Sequence, residues 1–447
     1  MSANTSLLLY ALIGVIGLVV LIARFKLNAF VALILASVFV GLCSGMPLTQ
    51  IATSFQDGVG GVLGSVAVVV GLGTMLGKML AESGGARVVA NTLIKALGET
   101  RVHWTMMLVG LIVGVPVFFS VGLVLLMPIT FTVVRYSKRP LLYVGIPLIA
   151  GLSVMHGLVP PHPGPMVAIG LFKADVGKTI LYSLIIGIPT AIIAGPMFGT
   201  FISRRMTVAM SGGLAEQFEH EQAHANPPGF GLTMMTILLP LLLMLAATVA
   251  DIALPAGDPL RNWVDFIGSP LVALVVATLF SFYSFGTARG FTREQILKFT
   301  NDCVGPIAAI VLVVGAGGGF NRVLVNSGVG AAIAELAQNS HIPVVVLGWF
   351  VAALIRVATG SATVAITTAA GIMGPIAAAT TGVHIELLVL AMGAGSLVLS
   401  HVNDAGFWLV KECFNMTVTE TLRTWTVMET IIAVVALAFI VLLDVIV

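Results

Sequence analysis

Apolar stretches of roughly 20 residues recur along this chain, separated by short polar turns. A helix needs about that length to cross ~30 Å of hydrocarbon, so the pattern predicts transmembrane helices rather than the alternating strands of a membrane barrel. Runs bounded by charge, Pro or Gly place ten crossings, near residues 6–23, 28–46, 58–80, 141–172, 179–202, 231–251, 266–286, 303–323, 386–410 and 427–446. No basic residue precedes the run from Leu7 to Ala23, and Arg24 and Lys26 follow it, so it reads as a retained first span rather than a cleaved signal.

Two apolar segments do not fit a simple crossing. Residues 104–134 abut basic clusters at both ends. As a single helix the segment would reach ~46 Å, too long for the hydrocarbon, while two crossings need about 40 residues. A re-entrant hairpin with its tip at residues 116–122 (Pro-Val-Phe-Phe-Ser-Val-Gly) fits instead. Residues 343–374 read the same way, with Ala358-Thr359-Gly360-Ser361-Ala362-Thr363 at the tip and entry from the opposite side. The span at 141–172 is expected to be discontinuous. Pro147, Pro160, Pro161, Pro163 and Pro165 remove donors and clash with preceding turns, leaving the chain from His156 to Pro165 partly extended. Its counterpart at 386–410 gathers Ser400, His401, Asn403 and Asp404 in an otherwise apolar stretch. Free backbone at that depth is tolerated where protein or a water-filled cavity satisfies it, so both breaks are candidate site linings.

Composition narrows the class. Lys and Arg number 21 and Asp and Glu 19, together 9% of the 447 residues, against about 25% in soluble proteins. This excludes a soluble enzyme, a disordered chain and, at a net charge of +2, a nucleic-acid binder. Cys43, Cys303 and Cys413 are isolated and form no metal spacing. Ser203 to Gly229 is polar, with Glu216, Glu219, His220, Glu221 and His224; it reads as a solvated linker rather than a metal cluster. Basic residues at Arg24/Lys26, Arg87–Lys95–Arg101, Arg135/Lys138/Arg139, Arg204/Arg205, Arg289/Arg293/Lys298 and Lys411/Arg423 share one side, which is then cytoplasmic and leaves both termini outside. Lys173, Lys178, Arg261 and Arg322 are the exceptions.

The two halves align at a shift of 241 to 245 residues. Gln50-Ile51 matches Gln295-Ile296, Asp57 matches Asp302, Gly71 and Gly73 match Gly315 and Gly317, Ser83-Gly84 matches Ser327-Gly328, and His156 matches His401. Five crossings and one hairpin per half put the second half in the membrane upside down. The expected fold is therefore an all-α polytopic membrane protein of two inverted-topology repeats, each with five spans, one re-entrant hairpin and one discontinuous helix. Residues 1–202 form the first repeat, 203–230 a cytoplasmic linker and 231–447 the second. Inverted repeats are the architecture of secondary transporters, whose substrate lies near mid-membrane where the repeats meet. No nucleotide-binding motif, cofactor site or metal-ligand spacing indicates a pump or an enzyme.

Charged groups inside the spans are costly and so informative. Arg356 precedes the second hairpin tip and suits a carboxylate, which guanidinium binds with two parallel hydrogen bonds; the alternative is a structural pair with Asp404. Thr359, Gly360, Ser361 and Thr363 add hydroxyls and amides for an anion. Asp404 is the candidate for proton coupling, with a structural cap as its alternative. His156 and His401 are candidates for proton relay or substrate contact, beside the structural role either could hold. Ser120, His162, Ser400 and Asn403 complete the expected contacts to substrate hydroxyls.

These motifs resemble the gluconate permease family, the gluconate:proton symporters, across nearly the whole chain. The resemblance is carried by Arg24-Phe25-Lys26, the glycine-rich run from Gly71 to Lys78, and His156 through Pro165. Gly360 to Ala365, Ser400 through Trp408, and Thr421 to Thr426 carry it further. It implies a proton symporter for gluconate or another small hydroxylated acid, embedded in the bacterial inner membrane, often a homodimer with elevator motion. Relatives associated with idonate and D-serine leave other small acids open, as well as sodium coupling or exchange. The chain departs from the family at Ser120, where members carry an acidic residue after the aromatic pair Phe118-Phe119. Either proton handling has moved to Asp404 or a histidine, or the serine is a substitution that traps one state.

Overall fold

The computed structural model describes residues 3–208, 226–255, 257–329, 332, 343–402 and 404–447. Among them every regular element is helical. Glu216 through His224 of the polar linker lie outside the described residues, as does Asn403.

The first half opens with α1 (Ala3–Ala23) and α2 (Ala29–Cys43), which pack together. Asn28 caps α2, its Oδ1 accepting the Phe30 amide at 2.9 Å. The next helix, α3 (Leu48–Glu82), is longer than the 58–80 expected from hydropathy. Its first turns carry Thr49, Gln50, Ser54, Gln56 and Asp57, which hydropathy passes over, yet no breaker follows Pro47 at its start. A short helix, α4 (Gly85–Leu97), occupies what reads in the sequence as a basic connection. It is amphipathic: Ala86, Val89 and Ala90 are buried while Asn91 and Lys95 face out.

The segment read as the first hairpin is two helices, α5 (Val102–Gly114) and α6 (Phe119–Ser137), with the break at the expected tip. At 19 residues α6 exceeds the ~15 expected of a hairpin arm, because the helix continues through Pro128 to Ser137 instead of ending at Val134. The proline-rich span splits into α7 (Leu141–Leu158) and α8 (Pro163–Phe172), with Pro163 and Pro165 in the first turn of α8, where a missing N–H costs nothing. A last long element, α9 (Val176–Ile192), passes through a π turn at Ile193–Met197 into α10 (Phe198–Ser203).

The second half comprises α11 (Phe230–Ala253), α12 (Pro259–Gly268), α13 (Pro270–Ser281), α14 (Arg293–Asp302) and α15 (Val304–Asn326). The second expected hairpin is α16 (Val344–Thr359) and α17 (Ala362–Ala379). Then come α18 (Ile385–Gly395), α19 (Ala405–Cys413), α20 (Val418–Thr421), a π turn at Leu422–Thr426, and α21 (Val427–Ile446).

Seven of these stretches, among the described residues, are long and apolar enough to cross a membrane, and seven further apolar helices are shorter. The sequence expected a full crossing at 28–46, where α2 has 15 residues, about 22 Å of helix, after the cap at Asn28. It expected a discontinuous span at 386–410, where α18 has 11 residues, about 16 Å, before the break.

The two halves meet along α3 and α15. A Cβ at Gly58 would lie 2.3 Å from the Gly318 carbonyl oxygen, and one at Gly318 would lie 2.5 Å from that of Gly58. Backbone therefore touches backbone at this crossing, the close approach small residues permit between membrane helices. The core continues through α7 and α18, whose facing sides are almost wholly buried.

Candidate functional site

Four helix starts surround one cluster of polar side chains. At the second break, Gly360 takes φ +75°, a left-handed conformation that suits glycine, and its amide closes α16 on the Arg356 carbonyl at 2.9 Å. Ser361 then caps α17, its Oγ accepting the Val364 amide at 3.3 Å. Arg356, one turn before the tip, is 3% exposed and forms an ion pair with Asp404. Asp404 caps α19, its Oδ1 accepting the Gly406 amide at 2.8 Å, and it also accepts the Ser400 hydroxyl. Ser400 Oγ in turn accepts Trp425 Nε1–H at 2.7 Å, and the Thr426 hydroxyl donates to the Ser400 carbonyl. The aspartate is thereby fully engaged. Arg356 is not: its Nε is buried with no partner.

The first half joins through aromatic contacts. Phe119, at the start of α6, packs against Trp425 with ring centres 4.9 Å apart and the rings tilted by 40°. Phe118 lies 6.2 Å from His156 and 6.0 Å from His162, and the two histidine rings are 5.1 Å apart. His162 Nε2 lies 2.7 Å from the Gly114 carbonyl. A carbonyl only accepts, so that nitrogen carries the proton and the ring closes the end of α5. His156 Nδ1 is buried without a partner, and the ring lies within the field of Arg356. The glycine run on α3 brings that helix against the same tip: a Cβ at Gly77 would sit 2.3 Å from the Pro116 carbonyl oxygen.

The structure thus gathers Arg356, Asp404, Ser400, His156 and His162 around the breaks that follow α5, α7, α16 and α18. Thr359, Gly360, Ser361 and Thr363 border the cluster, though the Thr359 hydroxyl is turned back to the Ile355 carbonyl at 2.8 Å. Ser120 follows the Phe118-Phe119 pair at the start of α6, with an exposed side chain. His401 is half-buried, with Nδ1 2.8 Å from the Leu399 carbonyl.

One residue was missed in the sequence. Glu429 lies inside α21 at 1% exposure, hydrogen-bonded to Ser153 of α7 and within the fields of Arg356 and Asp404. Its signal was available: an acid three residues into an apolar span, as costly there as Arg356.

Comparison with known proteins bears on the whole chain. Residues 6–446 match the family described as GntP family permease. A gluconate permease of Pseudomonas aeruginosa is 57% identical over 99% of both chains. The high-affinity gluconate transporter of Escherichia coli is 44% identical, covering 97% of this chain and 98% of its own. The Gnt-II system L-idonate transporter of the same organism is 45% identical, covering 95% of this chain and 96% of its own. Among solved structures, the YdaH transporter of Alcanivorax borkumensis superposes with a TM-score of 0.64 at 17% identity, covering 93% of this chain and 97% of its own. MtrF of Neisseria gonorrhoeae gives 0.64 at 12%, covering 94% and 96%. These two likenesses concern the fold alone.

Proposed function

The chain belongs to the GntP family of permeases, and on that premise we propose that it imports gluconate or a similar sugar acid across the bacterial inner membrane by proton symport. The observation that carries this is Arg356: a buried guanidinium with a free donor, set where the second hairpin tip meets the break before α19. Its charge would receive the substrate carboxylate in a two-bond contact, loosening its hold on Asp404. The hydroxyls of Ser361, Thr363, Ser400 and Ser120, with Asn403 and His156, would meet the substrate's hydroxyl groups. His162 would hold the first tip in position. Asp404, and His401 beside it, would link substrate binding to the proton through the shared arginine. The L-idonate transporter among the relatives favours sugar acids as the substrate class.

The architecture proposed is two inverted repeats, residues 1–202 and 231–447, joined by a cytoplasmic linker, with both termini periplasmic. The reciprocal glycine contact of α3 and α15, which carry the matched Gly71/Gly73 and Gly315/Gly317, supports this division. Both hairpins and both broken spans would move together against a scaffold that includes α1, α2, α11 and α13, in an elevator motion within a homodimer. Uptake of labelled gluconate into proteoliposomes tests the reading. An inward proton gradient is expected to drive accumulation, and unlabelled gluconate inside is expected to drive counterflow. Absence of both would overturn it.

A further inference from the structure

Glu429 is a buried acid that the binding scheme above leaves without a task. Ser153 hydrogen-bonds one oxygen, while the other, Oε1, meets neither a partner nor solvent. A desolvated carboxylate oxygen with no donor is poorly held as an anion; the protonated group places less demand on its surroundings. The charged groups acting on it are Arg356 of α16 and Asp404 at the start of α19. Those two are already paired with each other, and Ser400 and Gly406 complete the aspartate's contacts. From α7, His156 faces the same arginine. The first hairpin tip, residues 116–122, contains no acid. Glu429 is therefore a carboxyl group with one unpartnered oxygen beside an ion pair whose aspartate is fully engaged, on a helix that packs against α7, α16 and α18.

We propose that Glu429 takes up and releases the coupled proton, and that its charge governs the anion site through Arg356; this rests on the reading of the protein as a proton-coupled sugar-acid carrier. A proton from water on the outer side forms an O–H bond on the Glu429 carboxylate. That bond breaks when the proton passes to water on the inner side, and no electrons change hands. With Glu429 neutral, the substrate carboxylate meets one anion, Asp404, across Arg356. With Glu429 ionised it meets two, and the site expels it. Proton and substrate anion are then bound together and released together, which is symport.

The test uses the full-length protein in proteoliposomes. Wild-type counterflow and gradient-driven uptake of gluconate must be present; their absence overturns the carrier reading, not the assignment of Glu429. In Glu429→Gln, which keeps size and hydrogen bonding, accumulation driven by the proton gradient is expected to fall at least tenfold while counterflow stays measurable. Gradient-driven accumulation retained in E429Q overturns the proposal. If E429Q loses counterflow as well, Glu429→Asp decides. It retains an ionisable group in a displaced position, so recovered uptake with a pH profile shifted from wild type supports the assignment. A profile that superimposes on wild type, or no recovery, overturns it.

Discussion

Arg356 and Asp404 hold each other in a site where the arginine is 3% and the aspartate side chain 14% exposed. Removing one partner of such a buried pair strands the other, at a typical cost of about 3 kcal/mol or more. Arg356→Ala is expected to abolish gluconate uptake and lower the melting temperature in detergent. The double variant Arg356→Ala/Asp404→Ala is expected to recover part of the stability and none of the uptake, which a thermal melt and an uptake assay read separately. Both residues were legible in the sequence, because each stands out in an apolar run close to a helix-breaking motif. Glu429 has the same character but sits in an unbroken helix, so its span was read for length alone. His162 reads in the sequence as a contact to substrate hydroxyls, not as the cap it is in the structure, since its partner is a backbone carbonyl 48 residues away. No residue pattern announces such a bond.

At the level of elements, the breaks were the most readable feature. Prolines and glycines mark both tips and the first discontinuous helix, a polar cluster marks the second, and the helices end within a few residues of those marks. The amphipathic α4 and the polar first turns of α3 were not readable from hydropathy, because their helicity comes from packing on neighbours and from the lack of a breaker. The glycine run on α3 offers a contrast at single-residue precision. Gly77→Val should force α3 away from the Pro116 carbonyl and cut uptake severely without loss of membrane expression. Gly73→Ala should be tolerated, since the nearest heavy atom to its new Cβ, on Pro161, is 3.9 Å away. At the second tip, Gly360→Ala places an L-residue at φ +75°. That costs about 1–2 kcal/mol, and a lower melting temperature measured in detergent is the expected result.

On the scale of the whole molecule, the sequence could order the apolar helices along the chain, but not say which surfaces meet. The backbone contact of Gly58 with Gly318 depends on residues 260 positions apart in the chain, and glycine is too common here to single out that pair beforehand. The inverted arrangement proposed above makes a direct prediction: cysteines placed near either terminus should react with an impermeant thiol reagent from the periplasmic side, and labelling of one terminus alone would refute it. The cluster between the halves also has a practical side. Trp425 is 3% exposed, whereas Trp104, Trp263 and Trp408 are 37%, 65% and 42% exposed. It rests on Phe119 at the start of α6 and donates its indole proton to Ser400, one hydrogen bond from Asp404. The molecule therefore carries its own optical probe, a dry indole linked to the ion pair, and a shift in emission on adding gluconate that is lost in Trp425→Phe is the expected outcome.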